Sequence, residues 1–157
     1  MAPRAFFGPP RDAPAPGGLH VSVHIVPVYA DCLVVFDVTS PSAHGRWLPW
    51  AIIDFGQNPY EAASLLVDDW CDASLDDLSL ADVMSLEVPG GGWELAVIFR
   101  ASLTSAPSGD HERVAVLTGK GHYDAIGAFD PVDIQRWVET SPATESSPPT
   151  GSRGLIF

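Results

Sequence analysis

Apolar and polar residues alternate along residues 20–29, HVSVHIVPVY. This alternation predicts a β-strand, because successive side chains of a strand point to opposite faces of a sheet. It puts Val23 and Ile25 on one face and His24 on the other. The apolar residues 32–38 follow after two residues and predict the hairpin partner of this strand.

Further strands are predicted in the second half of the chain. Residues 84–88 and 93–103 flank the turn Pro-Gly-Gly-Gly and predict a strand pair, and residues 114–118 predict another strand. Within residues 93–103 the alternation again separates two faces. Residues 72–82 are acidic, and we expect a loop there with short helical turns.

Two segments carry helical signals. Asn58 suits an N-cap, Pro59 suits the first helical position, and Glu61 completes a reciprocal capping box with Asn58. Apolar residues then recur at helical spacing through residues 62–70. Residues 132–139 predict a second helix near the end of the chain.

Length and composition predict one folded domain with an extension at each end. The chain has 157 residues, of which 46% are hydrophobic, and this is enough for one substantial core. We expect a Pro- and Gly-rich arm over residues 1–18, a domain over residues 19–140 and a flexible tail over residues 141–157. Neither a signal peptide nor a membrane span is visible, so we expect a cytoplasmic protein that binds no membrane.

The charge pattern argues against nucleic acid as a partner. The net charge is −12, and the eight Lys and Arg residues are scattered along the sequence. A nucleic-acid surface needs clustered cations that displace counterions from phosphates. We therefore expect no nucleic-acid binding.

Residues 47–73, WLPWAIIDFGQNPYEAASLLVDDWCDA, have the spacing of a known enzyme signature. They resemble the Nudix box of diphosphate hydrolases, which reads Gly, five residues, Glu, seven residues, then Arg-Glu-apolar-x-Glu-Glu-x-Gly-apolar. The spacing holds without a gap from Ala51 through Gln57 to residues 65–73. The resemblance implies an α/β (α+β) fold in which a mixed β-sheet is sandwiched by helices.

The acidic positions of that box are largely replaced. Of the four family carboxylates only Asp69 remains acidic, while Gln57, Leu66 and Trp70 stand at the other three, and Leu65 replaces the arginine. Magnesium prefers hard oxygen ligands, which leucine and tryptophan do not offer. Since residues 66, 69 and 70 share a helical face, we expect neither a metal site nor a cofactor.

The resemblance also implies a cleft beside the box helix, and its expected lining is aromatic. Pockets with apolar walls and a few polar groups are typical small-molecule sites. Arg46 and Arg100 are the arginines expected near this cleft. The predicted ligand-binding residues are Trp50, Asp54, Phe55, Gln57, Leu66, Trp70, Trp93 and Arg100.

Asp69, His24 and His122 are the candidates for proton transfer. Histidine suits this role near neutral pH, and the resemblance places His24 at the cleft border and His122 where the family often has an extra acid. Asp69 either loses solvation beside Leu66 and Trp70, as acid/base groups often do, or points to solvent. The alternative for His24 is a structural role in the sheet, with hydrogen bonds to neighbouring groups of the fold.

Three functions are compatible with the sequence. The first is a repurposed, metal-independent acid/base enzyme that binds an apolar or aromatic small molecule. The second is a non-catalytic module for metabolite sensing or protein interaction, as a homodimer or with a partner protein. The third is a diverged hydrolase of nucleoside-diphosphate type with metal ligands displaced to Asp54, Glu94 or Glu112.

Overall fold

The computed structural model describes residues 18–41, 43–53, 56–87 and 92–140, and a mixed β-sheet forms its centre. The expected architecture, a mixed sheet with helices, is confirmed. The strands are β1 (Leu19–Tyr29), β2 (Cys32–Val38), β3 (Gly45–Trp47), β4 (Trp50–Ile52), β5 (Leu75–Glu87), β6 (Trp93–Leu103) and β7 (Arg113–Thr118). The helices are α1 (Pro59–Leu66), which continues as a π-helical turn (Val67–Cys71), and α2 (Pro131–Glu139).

Strand β1 lies at the middle of the sheet. It pairs in parallel with β6 along its length and forms the predicted hairpin with β2. Strand β4 pairs with the first half of β1, β3 and β7 pair with β2, and β5 forms an edge beside β6. The strand order is β3-β2-β1-β6-β5. Since Val38 of β2 pairs with both Gly45 of β3 and Arg113 of β7, the start of β7 lies near β3.

Each face of the sheet carries its own core. Val23 and Ile25 of β1 are fully buried in the cluster that contains α1, whereas Val26 is fully buried in the cluster that contains α2. Trp137 of α2 is also fully buried there. The predicted alternation of β1 is therefore confirmed, and each large apolar side chain buried in this way contributes roughly 1.5–3 kcal/mol.

The loop predicted over residues 72–82 is wrong, because β5 begins at Leu75 and runs to Glu87. It pairs with β6 but is interrupted by register shifts between Leu75 and Asp77 and between Leu80 and Asp82. Bulges break the simple alternation that reveals a strand. Acidic side chains are also common on edge strands, where they oppose unwanted pairing.

Helix α1 begins as the sequence predicts. The Asn58 side chain accepts hydrogen bonds from the backbone N–H of Tyr60 at 2.8 Å and of Glu61 at 3.4 Å, and Pro59 opens the helix. Within the described ranges, Glu61 returns no hydrogen bond to Asn58, so the capping box is only half formed. No helix in these ranges is long and apolar enough to cross a membrane. The arm up to residue 17 and the tail from residue 141 lie outside the described residues.

Candidate functional site

A cavity of about 390 Å³ lies between the end of α1 and strands β3, β4 and β7. We call it the aromatic cavity, because three tryptophans contribute to its walls. Its polar groups lie on the β2–β3 loop, the π-helical turn and the start of β7. The lining residues are Val38, Ser40, Ala43, Trp47, Trp50, Ala51, Leu66, Asp69, Trp70, Glu112 and Arg113.

Two of these tryptophans are fixed by their neighbours. The Trp47 indole N–H donates a hydrogen bond to the backbone carbonyl of Ala43 at 2.7 Å. Trp70 is 8% exposed and meets Phe36 edge to face, with ring centroids 5.4 Å apart. These two aromatic walls are therefore held in place by contacts within the fold.

Arg113 provides the cationic side of the aromatic cavity. Its guanidinium carbon lies 4.3 Å from the centroid of the Trp70 ring, a cation–π distance. One guanidinium nitrogen donates a hydrogen bond to the Asp69 carboxylate at 3.2 Å. The Asp69 side chain is 66% exposed, so the solvent-facing alternative for this residue is the one observed.

His24 lies on the other side of the sheet and is not among the lining residues. It is 1% exposed and meets Phe129 edge to face at 5.7 Å. The Ser22 hydroxyl lies 3.0 Å from His24 Nε2 and donates a hydrogen bond to Glu94 Oε2 at 2.7 Å. Because Ser22 and Glu94 are fully buried, these side chains form a polar cluster inside the α2 side of the fold.

The structure does not bring the three candidate proton-transfer groups together. His122 lies exposed in the loop after β7, where its backbone N–H donates to the carbonyl of Gly119 at 3.2 Å. His24 is buried on the α2 side, and Asp69 is on the outer surface of the π-helical turn. Asp69 alone of the three lines the aromatic cavity.

The two arginines expected near the cleft are engaged elsewhere. Arg46 forms a bidentate pair with Asp37 at 2.7 and 3.0 Å, and this hydrogen bonding lowers the pKa of Asp37 and raises that of Arg46. Arg100 donates to the backbone carbonyl of Val138 on α2 at 3.2 and 3.1 Å. Neither arginine lines the aromatic cavity.

Sequence reasoning missed Arg113 as the arginine of this cavity. Its side chain becomes relevant because β7 pairs with β2, which sets Arg113 opposite Val38. The available signal was its position directly before the strand predicted over residues 114–118, but the partner of that strand could not be identified. Trp93 is 39% exposed at the start of β6 and does not line the cavity. Asp54 and Phe55 lie outside the described residues.

Cys71 is not suited to nucleophilic chemistry. It is fully buried in the core beneath α1, and this burial raises the pKa of its thiol to about 12. Since the thiolate is the reactive form, the side chain is inert near neutral pH.

Comparison with solved structures identifies the fold. The MutT Nudix hydrolase from Burkholderia pseudomallei is similar with a TM-score of 0.61 at 13% identity, over 75% of this chain and 97% of that chain. The chain has the Nudix fold. The MutT protein from Methanosarcina mazei Go1 gives a TM-score of 0.60 at 11% identity, over 77% of this chain and 94% of that chain. A Nudix hydrolase from Nitrosomonas europaea gives 0.56 at 16% identity, over 74% and 84% of the two chains.

Sequence comparison alone does not reach these structures. No protein-family model matches the chain, and no curated protein is significantly similar to it. At identities this low, the structural likeness establishes the Nudix fold and leaves the activity to be argued from the site.

Residues of the segment that resembles the Nudix box line a second, smaller cavity next to the aromatic one. This cavity has a volume of about 300 Å³, and Ala51, Gln57, Leu66 and Asp69 are among its lining residues. The side chains of this cavity that could coordinate a metal ion are the amide of Gln57 and the carboxylate of Asp69. Across the described ranges, no three His, Cys, Asp or Glu side chains are grouped so that they could hold a metal ion.

Proposed function

We propose that this Nudix-fold chain is a small-molecule-binding protein whose aromatic cavity takes a planar aromatic ligand without a metal ion. The observation that carries the proposal is the presence of Trp47, Trp50 and Trp70 together with Arg113 around one cavity of about 390 Å³. Ligand sites of this size, with apolar walls and few polar groups, are typical of small-molecule binding.

The chemistry of the walls favours an aromatic ligand. Aromatic pairs contribute roughly 0.5–1.5 kcal/mol beyond the burial of their area, and the cavity offers three indole rings. Arg113 has donors beyond the one that binds Asp69, so it can orient a carboxylate or carbonyl on the ligand. The preferred ligand is therefore flat, largely apolar and equipped with one hydrogen-bond acceptor.

The donor set supports metal-free binding. Magnesium is normally held by carboxylates and by the phosphates of its substrate. At the box positions of the smaller cavity, Asp69 is the carboxylate, Gln57 contributes an amide, and Leu66 contributes no donor. These residues do not fit the magnesium site of a pyrophosphohydrolase, so no step of the proposal passes through a metal ion.

The placement of the proton-transfer candidates favours binding over catalysis. Acid/base chemistry requires the groups to lie within hydrogen-bond reach of one substrate. His24 is buried on the α2 side, whereas Asp69 is bound to Arg113 at the aromatic cavity. Of the functions that the sequence left open, the non-catalytic small-molecule module is the one that this arrangement supports best.

Calorimetric titration with indole-3-acetate, an aromatic carboxylate, tests the proposal. Trp50→Ala removes one wall of the cavity and should weaken binding by about two- to tenfold, which corresponds to the loss of one aromatic contact. Arg113→Met keeps the length of the side chain but removes its charge, and it should weaken binding of the carboxylate more than binding of neutral indole.

Two matched controls accompany these variants. Leu80→Ala removes an exposed apolar side chain of β5, and Arg136→Met removes an exposed cation of α2, both outside the aromatic cavity. Both should bind the probe like the native chain. Equal binding by Trp50→Ala and the native chain would contradict the proposal.

A further inference from the structure

A separate cavity of about 350 Å³ lies on the opposite side of the sheet, at the C-terminal end of α2. We call it the α2-end cavity. It is formed by the β1–β2 turn, β6, the loop after β7 and the last residues of α2. Its lining residues are Val28, Asp31, Arg100, Lys120, Tyr123, Val138, Glu139 and Thr140.

Two of its four charges neutralise each other. Lys120 Nζ lies 3.2 Å from the Glu139 carboxylate, and both side chains are largely exposed. The cation of Arg100 and the anion of Asp31 remain. Across the described residues, neither has an oppositely charged group within ion-pair distance, although each lines the same cavity.

Arg100 is held in place by neutral groups. It donates to the carbonyl of Val138 at 3.2 and 3.1 Å and to the Ser102 hydroxyl at 2.7 Å. A guanidinium has five N–H groups, so two of them are still available. Burial lowers the pKa of Arg100, because desolvation disfavours its charged form, and the carboxylates of Asp77 and Asp31 offset only part of this effect. An incoming carboxylate would offset more of it.

Tyr123 adds a hydroxyl to the wall of the α2-end cavity. The residue as a whole is only 4% exposed, so its ring is packed in the fold. A phenolic hydroxyl can donate one hydrogen bond, so it can bind a ligand atom that accepts one.

We propose that the α2-end cavity binds a small zwitterion of the free α-amino acid class. The ligand carboxylate accepts hydrogen bonds from the Arg100 guanidinium and the Tyr123 hydroxyl, and its ammonium group pairs with Asp31. The apolar side chains of Val28 and Val138 accommodate an aliphatic side chain. This proposal uses a different cavity from the proposed function and does not depend on it.

The charges of the cavity and of the chain favour a zwitterion over a simple anion. The chain carries a net charge of −12, which repels anions at long range. An anion on Arg100 would also leave the negative charge of Asp31 without a partner in the same cavity. A ligand with both charges satisfies Arg100 and Asp31 together and adds no net charge.

Isothermal titration of the full chain with L-leucine, N-acetyl-L-leucine and L-leucinamide tests the proposal. The acetyl compound has no ammonium group, and the amide has no carboxylate. L-leucine should bind, and each derivative should bind at least about tenfold more weakly, as expected for one lost charged contact. No detectable binding of L-leucine overturns the proposal, and equal binding of N-acetyl-L-leucine overturns the assignment of a zwitterion.

Two conservative variants test the location. Tyr123→Phe removes only the hydroxyl, and Asp31→Asn keeps a residue type that tolerates the positive φ of 64° at this turn. Each should weaken L-leucine binding about tenfold, while Asp76→Asn, an exposed carboxylate of β5, should bind like the native chain. Native-like binding of L-leucine by both variants overturns the assignment of the site to the α2-end cavity. An equal loss of L-leucine affinity in Asp76→Asn overturns it as well.

Discussion

A single hydroxyl proton determines how the buried polar cluster is connected. Ser22 donates to Glu94 at 2.7 Å, so towards His24 its oxygen must act as an acceptor. The proton of the histidine is then on Nε2, 3.0 Å from the hydroxyl. The sequence placed His24 on the correct face of β1, but it gave no sign of Glu94 as a neighbour, because that contact depends on the parallel pairing of β1 and β6.

Ser22→Ala should destabilise the fold by about 1–3 kcal/mol, because the substitution leaves a buried carboxylate and a buried imidazole each short of one hydrogen bond. Urea unfolding measures the difference. Ser85→Ala, at an exposed position of β5, is the matched control and should change stability by less than about 0.5 kcal/mol. Equal stability of Ser22→Ala and the native chain would show that the cluster does not form.

At the scale of elements, Asp82 connects the edge strand β5 to helix α2. Its carboxylate accepts hydrogen bonds from the Trp137 indole N–H and from Arg136, both at 3.0 Å. Burial raises the pKa of Asp82, but hydrogen bonds from Trp137, Arg136 and the Val83 backbone outweigh it, so the pKa lies below its usual value. This contact could not be predicted while residues 72–82 were expected to form a loop, because it is the bulged strand β5 that places Asp82 beside α2.

Asp82→Asn should destabilise the fold by about 1–3 kcal/mol at neutral pH, because charge-assisted hydrogen bonds to a buried indole and an arginine are weakened. A lowered folded-state pKa means that the contribution of Asp82 is present above the unfolded value of 3.8 and is lost as the pH falls through the folded value. The stability gap between native chain and variant should therefore narrow below about pH 3.8.

Urea unfolding at a series of pH values measures this gap. Asp76→Asn, on the same strand but exposed, serves as the control and should show little difference at neutral pH. A gap that widens on acidification would contradict the assignment of an ionised Asp82 bound to α2.

At the scale of the whole molecule, local signals were sufficient for much of the fold. The β1–β2 hairpin and the Asn58 cap depend on residues close in sequence, and both are present in the structure. Contacts between distant segments could not be predicted from the sequence. Period-two alternation assigned Arg100 to a face, but it could not show that this face packs against α2.

For the candidate site too, the residues of one continuous segment could be predicted, whereas the residue from a distant strand could not. Trp50, Gln57, Leu66, Asp69 and Trp70 line the two neighbouring cavities at the box, because one continuous segment carries them. Arg113 lies on strand β7, 44 positions after Asp69 in the sequence. Its contribution depends on the pairing of β7 with β2, which no local pattern specifies.

The central claim is that a Nudix fold here supports metal-free binding in an aromatic cavity. Titration of indole-3-acetate into the native chain, once with excess EDTA and once with excess magnesium, tests it most directly. We predict the same Kd under both conditions, and no phosphate or nucleoside monophosphate released from a panel of nucleoside diphosphate compounds with magnesium. Binding that requires magnesium, or magnesium-dependent release of phosphate or a nucleoside monophosphate, would contradict the claim.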